Sequence, residues 1–479
     1  MKNLHPQAVW NHFHSLTQIP RPSGQKEAVT AFLADYGRSL GLETIVDAMG
    51  NVIIRKPASP GYEDHPGVIL QGHSDMVPQK NNDTVFDFAT DPIEAYVDGE
   101  WVTAKGTTLG ADNGIGVATA MAILADKSVV HPPLEVLVTV DEETGLYGAF
   151  ALEGGMLQGK TLLNLDSEAE GELYVGCAGG VDTTAKFAYT PVEVEEGDVA
   201  LKVSLTGCKG GHSGCDIHMQ RANANKLLFR FLKDAVANYE ARLASVEGGS
   251  LRNAIPREAS AVITVPAEGV DDIMDLVANY EDLFIAEYNG VEDNIHFAAE
   301  EVACPATELP EDVQDFLIHA ITTCPHGVYR VIPEVPDVVE TSNNLATLST
   351  SDDCVTVCCL TRSSVESRKE ELQEIIHSVF AMAGAEVEFT GSYPGWQPNL
   401  NSRILDVMKS TYKANYGVEP HVIIIHAGLE CGIIGRNYPG MDMISSGPTI
   451  EHPHSPDERV NIASVGKFYD FLLATLKAL

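Results

Sequence analysis

Residues Leu134 to Ala149 read "LEVLVTVDEETGLYGA", a β-branched and leucine-rich run that ends against three consecutive acids, Asp141, Glu142 and Glu143. The run reads as a buried strand. Adjacent carboxylates repel and raise one another's pKa, so three of them at a half-buried strand tip are costly unless a cation or a role in proton transfer compensates. "GVILQGHSDMV" (67–77) and "TLLNLDSEAEG" (161–171) share this grammar, and "NGIGVATAMAILADKS" (113–128) reads as a helix apolar enough to be buried. Alternating helix-like and strand-like segments predict a sheet flanked by helices. In open α/β sheets ligands gather outside the carboxyl ends of strands, where these polar residues fall.

From about residue 180 the texture changes to alternating strands, "ALKVSLTG" (200–207) and "SAVITVPAEG" (260–269), followed by the amphipathic helix "VDDIMDLVANYEDLFIAEY" (270–288). "CVTVCCLTRSSVESRKEELQEIIHSVFAMAGAEVEF" (354–389) repeats the strand-then-helix order, so two weakly related halves are an expectation for this α+β module. After the turn-rich "GSYPGWQPN" (391–399) the first texture returns in "HVIIIHAGLECGIIG" (421–435), "GMDMISSG" (440–447) and a last helix, "NIASVGKFYDFLLATLKAL" (461–479). The expected organisation is one α/β catalytic domain, residues 1–180 and 395–479, interrupted by an inserted module at 181–394.

The 479 residues, 44% hydrophobic and 21% charged, have the composition of a soluble globular protein. With 31 basic against 68 acidic side chains the formal charge is −37, which repels nucleic acid and anionic membrane surfaces, so neither is an expected partner. The start, "MKNLHPQAVWNHFHSL", has no apolar signal region, and the most apolar later stretch is interrupted by His426 and Glu430, so a cytoplasmic location is expected. Nine scattered cysteines without a C-x-x-C pair predict free thiols, with neither a disulfide framework nor a thiolate zinc site.

His73 and Asp75 sit two apart past an apolar run, so on an extended backbone they point the same way. The carboxylate could orient the imidazole of a metal ligand, or His73 could be an ordinary loop histidine. In "TTLGADNGIGVATA" (107–120), Gly110, Gly114 and Gly116 surround Asp112 at the mouth of the apolar helix. Glycines there let the backbone bend and come close to a ligand, while the plainer account makes Asp112 a helix N-cap. Neither G-x-G-x-x-G nor a P-loop lysine is present, which argues against a phosphate loop. Asp166 ends another apolar run, and "GPTIEHPHSPDERV" (447–460) offers His452 and His454 in a proline-stiffened loop. Each alone has an ordinary structural explanation. Together His73, Asp112, Glu143, Asp166 and His454 form a nitrogen and oxygen donor set without sulfur, suited to zinc or another borderline divalent ion. They exceed what one open catalytic zinc needs, and a pair of metals sharing one carboxylate uses them all.

The ordered succession "IPRPSGQKEAV", "GNVIIRKP", "GHSDMV", "GADNGIG", "VTVDEETG", "LLNLDSE", "GCKGGHSG", "RNAIPREA" and "HPHSPDERV" resembles the co-catalytic zinc peptidases that include aminoacylases, glutamate carboxypeptidases and cytosolic dipeptidases. Within them it is most similar to bacterial aminoacyl-histidine (Xaa-His) dipeptidases. The resemblance implies a three-layer α/β/α catalytic domain with a mixed sheet and an inserted lid that also serves dimerisation. It implies two Zn2+ per chain, with Mn2+ or Co2+ able to substitute, and a dipeptide substrate. Asp112 would bridge the metals, with a cis peptide bond to Asn113. His73 and Asp166 would complete one site, Glu143 and His454 the other. Asp75 would orient His73, Glu142 would be the general base, and His212 would reach an active site, in dimeric relatives the neighbouring subunit's. Asn253 and Arg362 are candidates for gripping the substrate's carboxylate, Arg362 because a guanidinium can do so bidentately. Glu430, from its charge and position, is a candidate for the substrate's amino terminus. A homodimer through the lid is expected, although so long a lid could supply within one chain what a partner otherwise supplies. The alternatives are an N-acyl amino acid deacylase or carboxypeptidase on the same scaffold, and a non-catalytic ligand-binding homologue.

Overall fold

In the computed structural model, which describes residues 1 and 3–479, the apolar run that opens at Leu134 is a strand, Leu134–Thr139, buried along its whole length. It belongs to an eight-stranded sheet. Its strands in chain order are β1 (Glu43–Val46), β2 (Val52–Lys56), β3 (Val68–His73), β4 (Leu134–Thr139), β5 (Thr161–Asn164), β6 (Glu172–Cys177), β7 (His421–Ile425) and β8 (Asp442–Ser445). Their spatial order is β1-β2-β4-β3-β5-β8-β6-β7. The central four, β4, β3, β5 and β8, are parallel, while β2 joins β4 and β6 joins β8 antiparallel, so the sheet is mixed.

The central strands read as continuous apolar runs because both faces are covered. Val68, Leu70, Val136 and Val138 face a core shared with the helices Gln7–Thr17, Ala111–Ala125, Arg403–Tyr416 and Ile462–Ala478. Their alternates Ile69, Leu137 and Leu162 are buried on the opposite face. This is the three-layer α/β/α arrangement.

The chain divides into two compact units. The first comprises Met1–Gly176, Pro398–Ile424 and Leu429–Leu479, and the second Cys177–Gln397 with Ile425–Gly428. The texture of the sequence suggested changes at 180 and 394, and carried no sign that four residues inside the apolar run 421–435 would join the second unit.

In the second unit the strands His296–Val302, Val199–Thr206, Ala259–Val265 and Arg242–Gly248 form one antiparallel half of a sheet. Val335–Ser351, Cys354–Ser363, Gly179–Ala188 and Glu386–Tyr393 form the other. The halves join where Glu247 and Gly248 pair with Ser349 and Leu348. Two helices precede or follow the strands of each half, Ala224–Asn238 and Val270–Glu287 in the first, Glu311–Thr323 and Glu366–Met382 in the second. Among the described residues no disulfide forms, and no helix is long and apolar enough to cross a membrane.

Candidate metal centre and active site

The parallel strands deliver polar residues to their carboxyl ends. His73, the last residue of β3, is buried, and its Nδ1 donates to the backbone carbonyl of Asp75 at 3.1 Å, with Asp75 Oδ1 at 3.4 Å. Its Nε2 is thereby aimed at Asp112 Oδ1, 3.0 Å away, and Asp166 Oδ1, 3.2 Å away just beyond β5. The other oxygen of Asp112, Oδ2, lies 3.2 Å from His454 Nε2, which stands 3.0 Å from Glu143 Oε1. The five residues thus form two groups that meet at one carboxylate, each group taking one of its oxygens. The Asp112–Asn113 peptide bond is cis. Asp112 and Asn113 have non-helical backbone angles, and no side-chain hydrogen bond caps the helix there.

The three acids at the tip of β4 have three different environments. Asp141 is tied to the loop before the helix Glu27–Ser39, accepting from the Gly24 N–H at 2.7 Å and pairing with Lys26 Nζ at 3.0 Å. Glu142 and Glu143 donate their backbone N–H groups to the two carboxylate oxygens of Asp75, at 3.0 and 3.3 Å. Asp75 therefore holds the strand tip as well as standing beside His73. Against burial, its bonds from His73, Ser23 and Glu142 take it down to about 2. Glu143 faces His454. Among the described residues no hydrogen bond or ion pair of this kind is formed by the Glu142 carboxyl, and burial, reinforced by Asp166, Glu430 and Glu143 against the pull of His73, raises it well above the carboxylate range. A group so perturbed among other titratable groups is a candidate proton acceptor.

Burial likewise pushes Asp166 up to about 7, and the carboxylates of Asp112 and Glu143 beside it raise His454 to about 11. Glu143 Oε1 and Asp166 Oδ1 are buried without a hydrogen-bond partner, although each lies within ion-pair distance of a histidine. This fits donors that converge on a common ion. Two ligands each about 2.0–2.1 Å from a tetrahedral zinc stand about 3.3 Å apart, close to the separations between these atoms. Donor atoms of His73, Asp112 and Glu143 all lie within 4.8 Å of one another. The donor set, imidazole and carboxylate, suits zinc and tolerates manganese or cobalt.

His212, Asn253 and Arg362 lie in the second unit. His212 Nδ1 accepts the backbone N–H groups of Gly214 and Cys215, at 3.2 and 3.0 Å. Its proton is therefore on Nε2, and the ring is a neutral donor; burial and the positive charge of Arg362 keep its pKa low. Arg362, 5% exposed, donates to Ser213 Oγ and Tyr393 OH and makes no ion pair among the described residues. Asn253 is exposed, and its carbonyl accepts from the Ser213 N–H at 2.8 Å. Glu430 does not stand open to a substrate amine. It is 1% exposed, and Oε2 is bonded to Gln71 of β3 and Thr139 of β4, so the carboxylate sits beneath the strand ends.

Sequence reading passed over three residues here. Glu168, two positions after Asp166, is half-buried, and burial with Asp112 and Asp166 nearby pushes it up to about 8. Arg21 and Glu458 are buried charges that bond the backbone around Asp112. They lie inside quoted motifs, but nothing local marks them as buried.

Residues 69–478 match the model of peptidase family M20/M25/M40. The chain belongs to this family. Among its members, the cytosol non-specific dipeptidase of Escherichia coli (strain K12) is 46% identical over 477 residues, covering 100% of this chain and 98% of the relative. The crystal structure of aminoacylhistidine dipeptidase from Vibrio alginolyticus is 48% identical, with a TM-score of 0.94 over 100% of this chain and 98% of that one. Aminopeptidase PepT from Bacillus cereus, 16% identical with a TM-score of 0.58 over 99% of both chains, shares the fold. As a family member the chain is a peptide hydrolase.

The second unit carries a pH-dependent weakness. Burial, then Arg362 and His212, depress His426 to about 3, and its Nε2 bonds Ser342 Oγ at 2.7 Å. Burial also depresses His326 to about 3, where Nδ1 takes Asn223 Nδ2 at 3.1 Å. Both fall below the unfolded value of about 6.5, so between pH 6.5 and 3 the unfolded chain binds more protons. Their contribution is whole above pH 6.5 and is lost as pH falls toward 3, at about 1.4 kcal/mol per pH unit for each. Denaturant unfolding of His326→Gln between pH 7 and 4 should show a shallower pH slope than wild type; equal slopes would refute the assignment.

Proposed function

We propose that this peptidase is a cytosolic dipeptidase that hydrolyses unblocked dipeptides, Xaa-His among them. His73, Asp112 and Asp166 would hold one divalent ion, Asp112, Glu143 and His454 a second, and Glu142 would be the general base. The observation that carries this reading is Asp112, whose two oxygens face two separate histidine–carboxylate groups. Two zinc ions held there would lower the pKa of water toward neutrality and polarise the scissile carbonyl. Glu142 takes the proton of the attacking water and passes it to the leaving amine. Asp75 keeps both Glu142 and His73 in place through its bonds to each.

His212, fixed as an Nε2–H donor, suits a developing oxyanion better than it suits proton transfer. Arg362 suits the substrate's carboxylate because it is a buried cation whose hydrogen-bond partners, Ser213 and Tyr393, are neutral. Removing one partner of a buried charged hydrogen bond costs about 2–5 kcal/mol, so Arg362→Gln should lose about 30-fold or more in kcat/KM. The variant should no longer distinguish a dipeptide from its C-terminal amide, and undiminished discrimination would remove Arg362 from the site. Asn253 is assigned to the same end of the substrate, and a homodimer through the second unit belongs to the same reading.

One relative's name specifies histidine and the other's says non-specific, so the test is a panel. Zinc-loaded protein should cleave carnosine, Gly-His and other free-amine dipeptides, and leave N-acetyl amino acids. Faster release from N-acetyl amino acids would favour the deacylase reading. No cleavage of any dipeptide would overturn the proposal.

A further inference from the structure

The three segments that carry His73, Asp112 and His454 are clasped by two buried ions of opposite charge. Glu458, 2% exposed and four residues after His454, accepts four consecutive backbone N–H groups. Its Oε2 takes those of Leu109 and Gly110 at 2.7 and 2.9 Å, and its Oε1 those of Ala111 and Asp112 at 2.7 and 3.2 Å. Arg21, also 2% exposed, donates through Nη1 to the carbonyls of Ser74 and Asp75, at 2.9 and 3.3 Å, and through Nη2 to that of Gly110. Gly110 is held at both ends of its residue, N–H by Glu458 and C=O by Arg21.

The glycines around Asp112 make room for this arrangement. Gly110 has φ +71°, and a Cβ on it would lie 2.5 Å from Arg21 Nη2; a Cβ on Gly114 would meet the same atom at 2.5 Å. The close approach read from "GADNG" is therefore made by the chain's own guanidinium. Neither Arg21 nor Glu458 forms an ion pair among the described residues; peptide groups bond both oxygens of Glu458 and both terminal nitrogens of Arg21, whose Nε is buried without a partner. Burying two charges in this way is costly, and a loop that only had to fold could be held by neutral side chains.

We infer that Arg21 and Glu458 are positioning residues for the metal pair. Through Gly110 they lock residues 109–112 against 73–75 and 454–458, and so fix the placement in which Asp112 presents one oxygen to each histidine. This rests on the two-ion reading above.

The test is a Co2+ titration of metal-stripped, full-length protein, followed by visible absorption and calorimetry, on wild type, Glu458→Gln and Glu135→Gln. Wild type should take up two equivalents; fewer would fail the two-ion reading itself, before any variant is considered. Glu458→Gln keeps the size of the side chain but turns an NH2 toward the amides. Because Asp112 serves both groups, the variant should weaken Co2+ binding at both sites by about 10- to 100-fold, as loss of a group that orients a ligand does. Its kcat should recover as Co2+ is raised, with KM unchanged. Glu135 is the control, a buried carboxylate near the start of β4 that accepts the N–H groups of Gln158 and Gly159 at 2.7 Å each. Glu135→Gln loses those bonds and an ion pair with Arg55 Nε at 2.9 Å as well, yet lies away from residues 109–112 and should titrate as wild type. If Glu458→Gln does not fold, Arg21→Lys, which keeps the charge but not the fork of donors, should show the same weakening. Wild-type affinity for both ions in the folded variants, or equal weakening in Glu135→Gln, would overturn the inference.

Discussion

Glu142→Gln is expected to lower kcat by about 100- to 10,000-fold, the range that a positioned general base contributes, while the protein keeps its full complement of metal. The two outcomes separate because of where the strand tip is anchored. The backbone N–H groups of Glu142 and Glu143 are both held by Asp75, so changing the Glu142 side chain leaves Glu143 facing His454. The amide cannot accept a proton at neutral pH, whereas its size matches the carboxylate it replaces. Steady-state kinetics with a free-amine dipeptide, beside metal analysis by mass spectrometry, checks both halves. Turnover within a few-fold of wild type would remove Glu142 as the base, and loss of metal would make it a ligand instead.

Asp112→Ala should abolish activity by a different route. Each of its oxygens faces a separate group, His73 with Asp166 and His454 with Glu143, so one substitution removes a donor from both sites at once. Metal content after dialysis should fall toward zero. Binding that favours the folded state raises thermal stability, so the rise in Tm that zinc produces in wild type should disappear in the variant. Asp166→Asn touches one group only and should lose one equivalent. Two tightly held ions in Asp112→Ala would mean that the carboxylate is not shared.

Much of the catalytic unit was legible because its central strands are covered on both faces. Continuous apolar runs then appear in the sequence, each followed at its carboxyl end by the polar residues that matter, as at His73, Glu142 and Asp166. The different surroundings of Asp141, Glu142 and Glu143 were not legible in the run itself, where only the resemblance told Glu142 from Glu143, since they depend on partners far along the chain. Asp141 is occupied by Gly24 and Lys26, more than a hundred residues earlier. Glu430 shows the same dependence on distant partners, with Oε1 buried and unpartnered. Its charge in an apolar stretch suggested a substrate contact, but Gln71 and Thr139 bond it beneath the strand ends. Charged residues that brace a site and those that line it look alike in one dimension, and burial alone separates Arg21 and Glu458 from surface charges.

The most direct measurement is X-ray diffraction from crystals of the zinc-loaded protein, recorded on both sides of the zinc absorption edge. The account expects two anomalous peaks, one beside each oxygen of Asp112, the first reached by His73 and Asp166 and the second by His454 and Glu143. A single peak, or peaks that leave Asp112 outside coordination distance of either ion, would contradict it.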